Sequence, residues 1–420
     1  MHRAAPACWA AAGCAATVGR MNPIRLRGPA DVVAALPYQF GYHLQDCLVV
    51  IALHSGSVGM LQRLDLPRPR DAGEAAGHLV EPLRREGAQA VLLVAYERHP
   101  GAAMPVLDAA AERIAGAGIE VRERVVVRDG RWYAPDCHKP CCPEDGLPLP
   151  SASDTPAIAD FVGLEMAPLP SRESLTSLVA ADEAVCREVA AALAGPAPSW
   201  SGPSRSGRAG SGRSRGLGPA GGDRAGGNGA GGDGAGGEPA ATDQHRAAVE
   251  RLARLWLWAK ACDVSEAARP VEELSADDVA ELVRSLRDRE LRDGVVARLC
   301  PRTLPMDKLD ADLADAVCST IPEPAWGAHG MGGRQAVLAA RRLLARLQWL
   351  ARAVPDEHCA GVLTVLASVS WWLGEGSLAR VAVERALEHA PGYQLALLLE
   401  QLLDLGVRPG GEGLRRALTA

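Results

Sequence analysis

From Cys47 to Leu53 the chain reads CLVVIAL, apolar and β-rich with no polar break. A run this short and this apolar is the mark of a strand buried on both faces. Such a strand needs a covering layer on each side, which commits the region to a sheet packed between other elements. Its neighbours fit. Ser55-Gly56-Ser57 supplies a turn, and Val58 to Leu66 then alternates, with Val58, Met60, Leu64 and Leu66 facing one way and Arg63 and Asp65 the other. Pro67 stops that second strand. Upstream, Pro29 suits the first position of a helix, where its missing N–H costs nothing, and Asp31 suits the positive end of the helix dipole. Val32, Val33, Leu36 and Phe40 share an apolar stripe. Because Pro37 disfavours helical geometry at Leu36, the helix is predicted to end there, with Gly41 marking the turn.

The pattern then repeats. Asp71 to Glu86 is predicted as one helix, with Leu79 and Leu83 on its buried side and Gly87 as its C-cap. Val91 to Tyr96 is another buried strand, Ala102 to Ala115 a helix, and Ile119 to Val127 a strand with Ile119, Val121, Val125 and Val127 on one face. Asp129-Gly130 signals a hairpin that returns through Arg131-Trp132-Tyr133. Strand–helix–strand units call for parallel pairing and the two hairpins add antiparallel members. The expectation is an α/β N-terminal domain, residues 21–194, built on a mixed sheet of about five strands with flanking helices; the stretch from Ser153 to Ala194 adds helices to it.

Residues 1–20 are Ala-rich and lack the apolar centre of a signal peptide, so they are read as a leader ahead of the true start at Met21. Residues 195–243 are Gly, Ser, Pro and Ala with scattered Arg and Asp, too poor in apolar side chains to offset ordering entropy, and are expected to be a disordered linker. Residues 244–420 read as an all-α domain. Ser275 with Asp278 is a capping-box start, and Arg334 to Arg352 a long amphipathic helix. In WWLGEGSLARVAVERALEHAPGY, Gly374, Ala379, Ala386 and Pro391 stand where a tetratricopeptide hairpin places its small residues and closing proline, over about residues 360–405.

Composition narrows the function classes. The net charge of -6 gives no global attraction to nucleic acid or to a membrane surface. Arg205, Arg208, Arg213 and Arg215 make part of the linker basic, but no aromatic sits among them to stack a base, so a nucleic-acid partner is not expected. No run of about 18 apolar residues predicts a membrane span. The 11 cysteines, an odd number and mostly scattered, point to a reducing, cytoplasmic setting.

Three stretches carry a family resemblance. RGPADVVAALPYQFGYH followed by CLVVIAL, DGRWY followed by CHKPCCPEDGLPLP, and the ending SLARVAVERALEHAPGYQLALLL resemble the actinobacterial domain-of-unknown-function family numbered 4192. The resemblance spans nearly the whole chain outside the leader and the linker, and it implies no reaction. In such sequences a small hydroxyl residue more often stands where this chain has Cys47, so an essential thiol is not expected there.

Two constellations could carry chemistry. Cys137, His138, Cys141 and Cys142 bring three thiols and an imidazole within six residues, the ligand types of a structural zinc site, with zinc the one cofactor the sequence suggests. The spacing departs from the standard knuckle, and the bland reading is a thiol-rich loop. The second follows from strand direction. The hairpin sets Asp46 beside Asp65, and a following strand parallel to the second brings Glu97 to the same edge, with the Tyr42-His43 turn above. Ligands of open α/β sheets bind outside the carboxyl ends of strands, so Tyr42, His43, Asp46, Asp65 and Glu97 are a candidate ligand-binding edge. Three adjacent carboxylates should hold a cation, or one should titrate high, unless an arginine stands between them. No GxxxxGK[ST] phosphate loop and no HExxH occurs. The expected function is therefore a non-catalytic ligand- or protein-binding module, with a protein partner on the helical domain; the alternative is a metal-assisted hydrolase using the carboxylate edge.

Overall fold

The computed structural model describes residues 14–16, 24–26, 28–54, 57–151, 154–164, 166–196, 238–324, 334–407 and 409. The expected turn at residues 55–56, nearly all of the leader and residues 197–237 of the expected linker lie outside that set. A short antiparallel ribbon pairs β1 (Cys14–Ala16) with β2 (Ile24–Leu26). The main sheet is six-stranded and mixed, in the order β4-β3-β5-β6-β7-β8. Its strands are β3 (Cys47–His54), β4 (Ser57–Asp65), β5 (Ala90–Tyr96), β6 (Glu120–Arg128), β7 (Arg131–Tyr133) and β8 (Leu147–Pro148). β3 pairs antiparallel with both β4 and β5, β5 and β6 are parallel, and β6 to β8 form antiparallel pairs. The apolar run Cys47–Leu53 is thus central and wholly buried, as its composition requires.

One face of the sheet is covered by α2 (Ala72–Gly77), α3 (Val80–Glu86) and α4 (Met104–Gly116) through Ala76, Leu83, Leu107 and Ile114. Each fully buried leucine here stabilises by about 1.5–3 kcal/mol. The other face carries α1 (Pro29–Phe40) and α5 (Pro156–Gly163), joined by the stacked Tyr38 and Phe161 rings, 5.4 Å apart. Its apolar layer runs on without a break into the helical region.

Four local expectations are corrected. α1 does not stop before Pro37 but continues to Phe40, where Gly41 takes a left-handed conformation at φ 79°. The bond that residue 37 would give the Val33 carbonyl cannot form, but burial of Leu36 and Phe40 holds the last turn in place. The helix expected over Asp71 to Glu86 is two helices that break around His78 and Leu79, just after Gly77, a residue that weakens a helix by about 1 kcal/mol relative to Ala. In β6 a register shift separates Val121 from the residues beyond it. Ile119 and Val121 therefore pack on the α4 side, while Val125 and Val127 face α1. A bulge adds one residue, and one residue flips a side chain to the opposite face. A similar shift in the β3–β4 pair leaves Val58 on the α1 side and Met60 on the other.

α6 (Arg172–Ser177) and α7 (Glu183–Ala194) pack on the C-terminal helices. Those helices are α8 (Glu238–Ala261), α9 (Ala276–Ser285), α10 (Arg289–Leu299), α11 (Ala311–Thr320), α12 (Arg334–Ala353), α13 (Ala360–Leu373), α14 (Gly376–His389) and α15 (Gln394–Asp404). Ser275 and Asp278 form the anticipated reciprocal capping box. Trp258 is fully buried and donates to the Ser285 hydroxyl at 2.9 Å, while Trp256 is exposed.

Arginine ties these elements together. Arg346 donates to the carbonyls of Lys260 (2.7 Å) and Ala261 (2.9 Å), closing the C-terminus of α8, and to that of Arg269 (2.8 Å) beyond it. Arg284 does the same for α7 through the carbonyls of Ala192, Leu193 and Gly195. Arg385 bridges the carbonyls of Val179 and Ala351 to the Asp356 carboxylate. A helix end leaves carbonyls unpaired, and a guanidinium's several planar donors can satisfy more than one of them.

Candidate functional site

β5 and β6 run parallel and end side by side, at Tyr96 and Val127 in register. Beyond their ends lies a cleft of about 520 Å³. α1 forms one wall with Val33, Pro37 and Tyr38; Leu149 and Pro150, just after β8, form another. Glu97, Arg98, Arg128, Asp129, His43 and Gln45 are among its polar groups.

Glu97 follows β5 directly, and its side chain is 1% exposed. Its carboxylate accepts from the backbone N–H of Gly101 (3.0 Å) and Ala103 (2.8 Å), at the entry to α4, and from the Arg128 guanidinium (2.6 Å). Arg128 ends β6 and lies over the Tyr133 ring, 4.5 Å from its centroid. A buried carboxylate needs this many donors to stay ionised without a large cost.

Asp46 precedes β3 in a left-handed conformation, φ 41°. Its carboxylate accepts from the Arg98 backbone N–H at 3.1 Å and from the Arg98 guanidinium. Asp65 stands opposite Cys47 at the end of β4, mostly exposed, paired with Arg63 at 2.6 Å. The three carboxylates do reach one end of the sheet, as strand direction requires, but each has an arginine of its own. Among the described residues they do not form a group that could share an ion.

The remaining expected residues divide. His43 is exposed at the cleft, its backbone N–H donating to the Leu169 carbonyl at 2.9 Å. Tyr42 is 2% exposed and meets Phe40 edge-on at 6.3 Å, away from the cleft lining. Burial raises its phenol pKa, against the opposing pull of Arg63. Cys47 is fully buried, and burial pushes its thiol up to about 11, so it stays protonated.

Tyr96 was legible in the sequence only as a strand end. It is 6% exposed, lines the cleft, and its hydroxyl has no hydrogen-bond partner. Burial raises its pKa, so the hydroxyl is a neutral donor. Arg98 and Arg128 carry no spacing signal of their own. The only hint was that Glu97-Arg98 and Arg128-Asp129 close two predicted strands.

The cysteine segment lies on the loop from β7 to β8. Cys137, Cys141 and Cys142 have sulfurs within 4.8 Å of one another, those of Cys141 and Cys142 being 3.9 Å apart. His138 is exposed and stands outside this group. Arg131 fixes the loop's far end by donating to the carbonyls of Asp145 (2.7 Å) and Gly146 (2.8 Å).

No curated protein and no solved structure matches the chain. A family model, described as Domain of unknown function (DUF4192), matches residues 29–316 and 328–410. That match takes in the sheet, the cleft, the cysteine loop and the C-terminal helices, and the chain belongs to this DUF4192 family.

Proposed function

We propose that the protein is a non-catalytic binding module whose cleft takes a small molecule with an apolar body and an acceptor oxygen. The observation that carries this reading is the buried, unpartnered hydroxyl of Tyr96, a residue that lines the cleft. A buried polar group left unpaired costs about 1–3 kcal/mol, a cost that a ligand oxygen would remove. The cleft volume of about 520 Å³ suits a small organic ligand. Val33, Tyr38 and Leu149 would pack on its body, and the exposed Arg98 guanidinium, although paired with Asp46, could turn a donor to an anionic end.

The hydrolase alternative draws less support. Its three carboxylates are splayed onto Arg63, Arg98 and Arg128 instead of converging on open space. Any zinc on the cysteine loop takes no part in binding at the cleft in this reading, because those thiols do not line it. The helical region, with its tetratricopeptide-like hairpin, would serve a protein partner; Leu398 is 55% exposed there. The free, largely buried cysteines support a reducing, cytoplasmic setting. Thermal-shift screening of the full chain against small carboxylic acids tests the reading. A stabilising acid should lose its effect in Arg98→Ala and Tyr96→Phe; equal stabilisation of both variants would refute it.

A further inference from the structure

The β7–β8 loop holds a feature that ligand binding in the cleft does not use. Three thiols converge there although two are adjacent in sequence, an arrangement that ordinary loop packing does not require. Zinc binds thiolate at about 2.3 Å, so tetrahedral geometry separates two of its sulfurs by about 3.8 Å. Cys141 and Cys142 already stand 3.9 Å apart. Cys137 lies within 4.8 Å of both, so a movement of about an ångström on a turn would complete three corners of a tetrahedron.

We propose that Cys137, Cys141 and Cys142 form a three-thiolate site for one zinc ion, with the fourth position left to water. Binding converts three thiols to thiolates, forms three zinc–sulfur bonds and releases three protons. The ion closes the loop between β7 and β8, and so braces the strand end that presents Leu149 and Pro150 to the cleft. It does not depend on what the cleft binds.

The test is titration of reduced, metal-free full-length protein with cobalt(II) and then zinc. The expected result is thiolate-to-cobalt charge-transfer absorption saturating at one ion per chain and displaced by zinc. Cys137→Ser and Cys142→Ser should each weaken binding beyond the ~10–100-fold typical of losing an outer-shell partner. Cys318→Ser, at an exposed cysteine outside the cluster, and His138→Ala should bind as the native chain does. If the native protein gives no charge-transfer band and all three thiols alkylate freely in the presence of zinc, the site does not exist. Unchanged binding in both cluster variants would equally overturn it.

Discussion

Glu97 and Arg128 end adjacent parallel strands and meet at 2.6 Å, the carboxylate 1% and the guanidinium 19% exposed. The pair holds the floor of the cleft and, through Gly101 and Ala103, the entry to α4. Removing Arg128 leaves the buried Glu97 carboxylate without its counter-charge, with only two backbone N–H donors. Arg128→Ala should therefore cost about 3–5 kcal/mol in urea denaturation. Arg128→Lys should recover only part of this, because an ammonium cannot lie over Tyr133 as a guanidinium does. A loss below about 1 kcal/mol in Arg128→Ala would show the pair to be peripheral.

Thiol chemistry should sort the cysteines by environment. Thiolate is the reactive form, and a lowered pKa moves half-maximal thiolate to lower pH. In reduced, metal-free protein Cys137 should alkylate with a pH midpoint below that of an ordinary thiol, while Cys142, pushed up to about 12, lags across the neutral range. Cys262, pushed up to about 12 by burial, and Cys300, also raised by burial, should label only on unfolding. Peptide mapping after brief iodoacetamide treatment at several pH values reads this order; Cys142 reacting ahead of Cys137 would contradict it.

Arg346 closes the end of α8 through the Lys260 and Ala261 carbonyls and also reaches the Arg269 carbonyl in the segment beyond it. Hydrogen bonds to a charged donor contribute about 1.5–3 kcal/mol, so Arg346→Ala should destabilise by that order. It should also raise amide exchange around residues 258–263, where the end of α8 would fray. Arg346→Lys should behave more like Ala than like Arg, since one ammonium cannot reach carbonyls on two separate turns. Native-like exchange in Arg346→Ala would mean that packing alone holds the helix end.

Much of this architecture follows from local pattern. The double-sided strand Cys47–Leu53, the Asp129-Gly130 hairpin and the Ser275–Asp278 capping box each depend on a few adjacent residues, and each formed as expected. The misses need tertiary information. Nothing local says that β6 carries a bulge, so Val121 and Val125 were placed on one face. Pro37 is a local stop signal overridden by burial of Leu36 and Phe40 on the core. At the site, strand direction brought Asp46, Asp65 and Glu97 to one end. The arginines that neutralise them come from Arg63 on β4, Arg98 after β5 and Arg128 on β6, contacts that no spacing rule supplies. The missing partner of the Tyr96 hydroxyl is likewise a tertiary property, which no local pattern encodes.

The central claim is that the Tyr96 hydroxyl serves a ligand and not the fold. The direct measurement is a paired one on Tyr96→Phe: thermal and urea stability of the ligand-free protein, and affinity for a small carboxylic acid that stabilises the native chain. Deleting an unpaired buried hydroxyl should leave ligand-free stability unchanged or raise it by up to about 1–3 kcal/mol, while affinity falls about tenfold, the equivalent of 1.4 kcal/mol. Loss of ligand-free stability with affinity intact would contradict the account, because the hydroxyl would then belong to the fold.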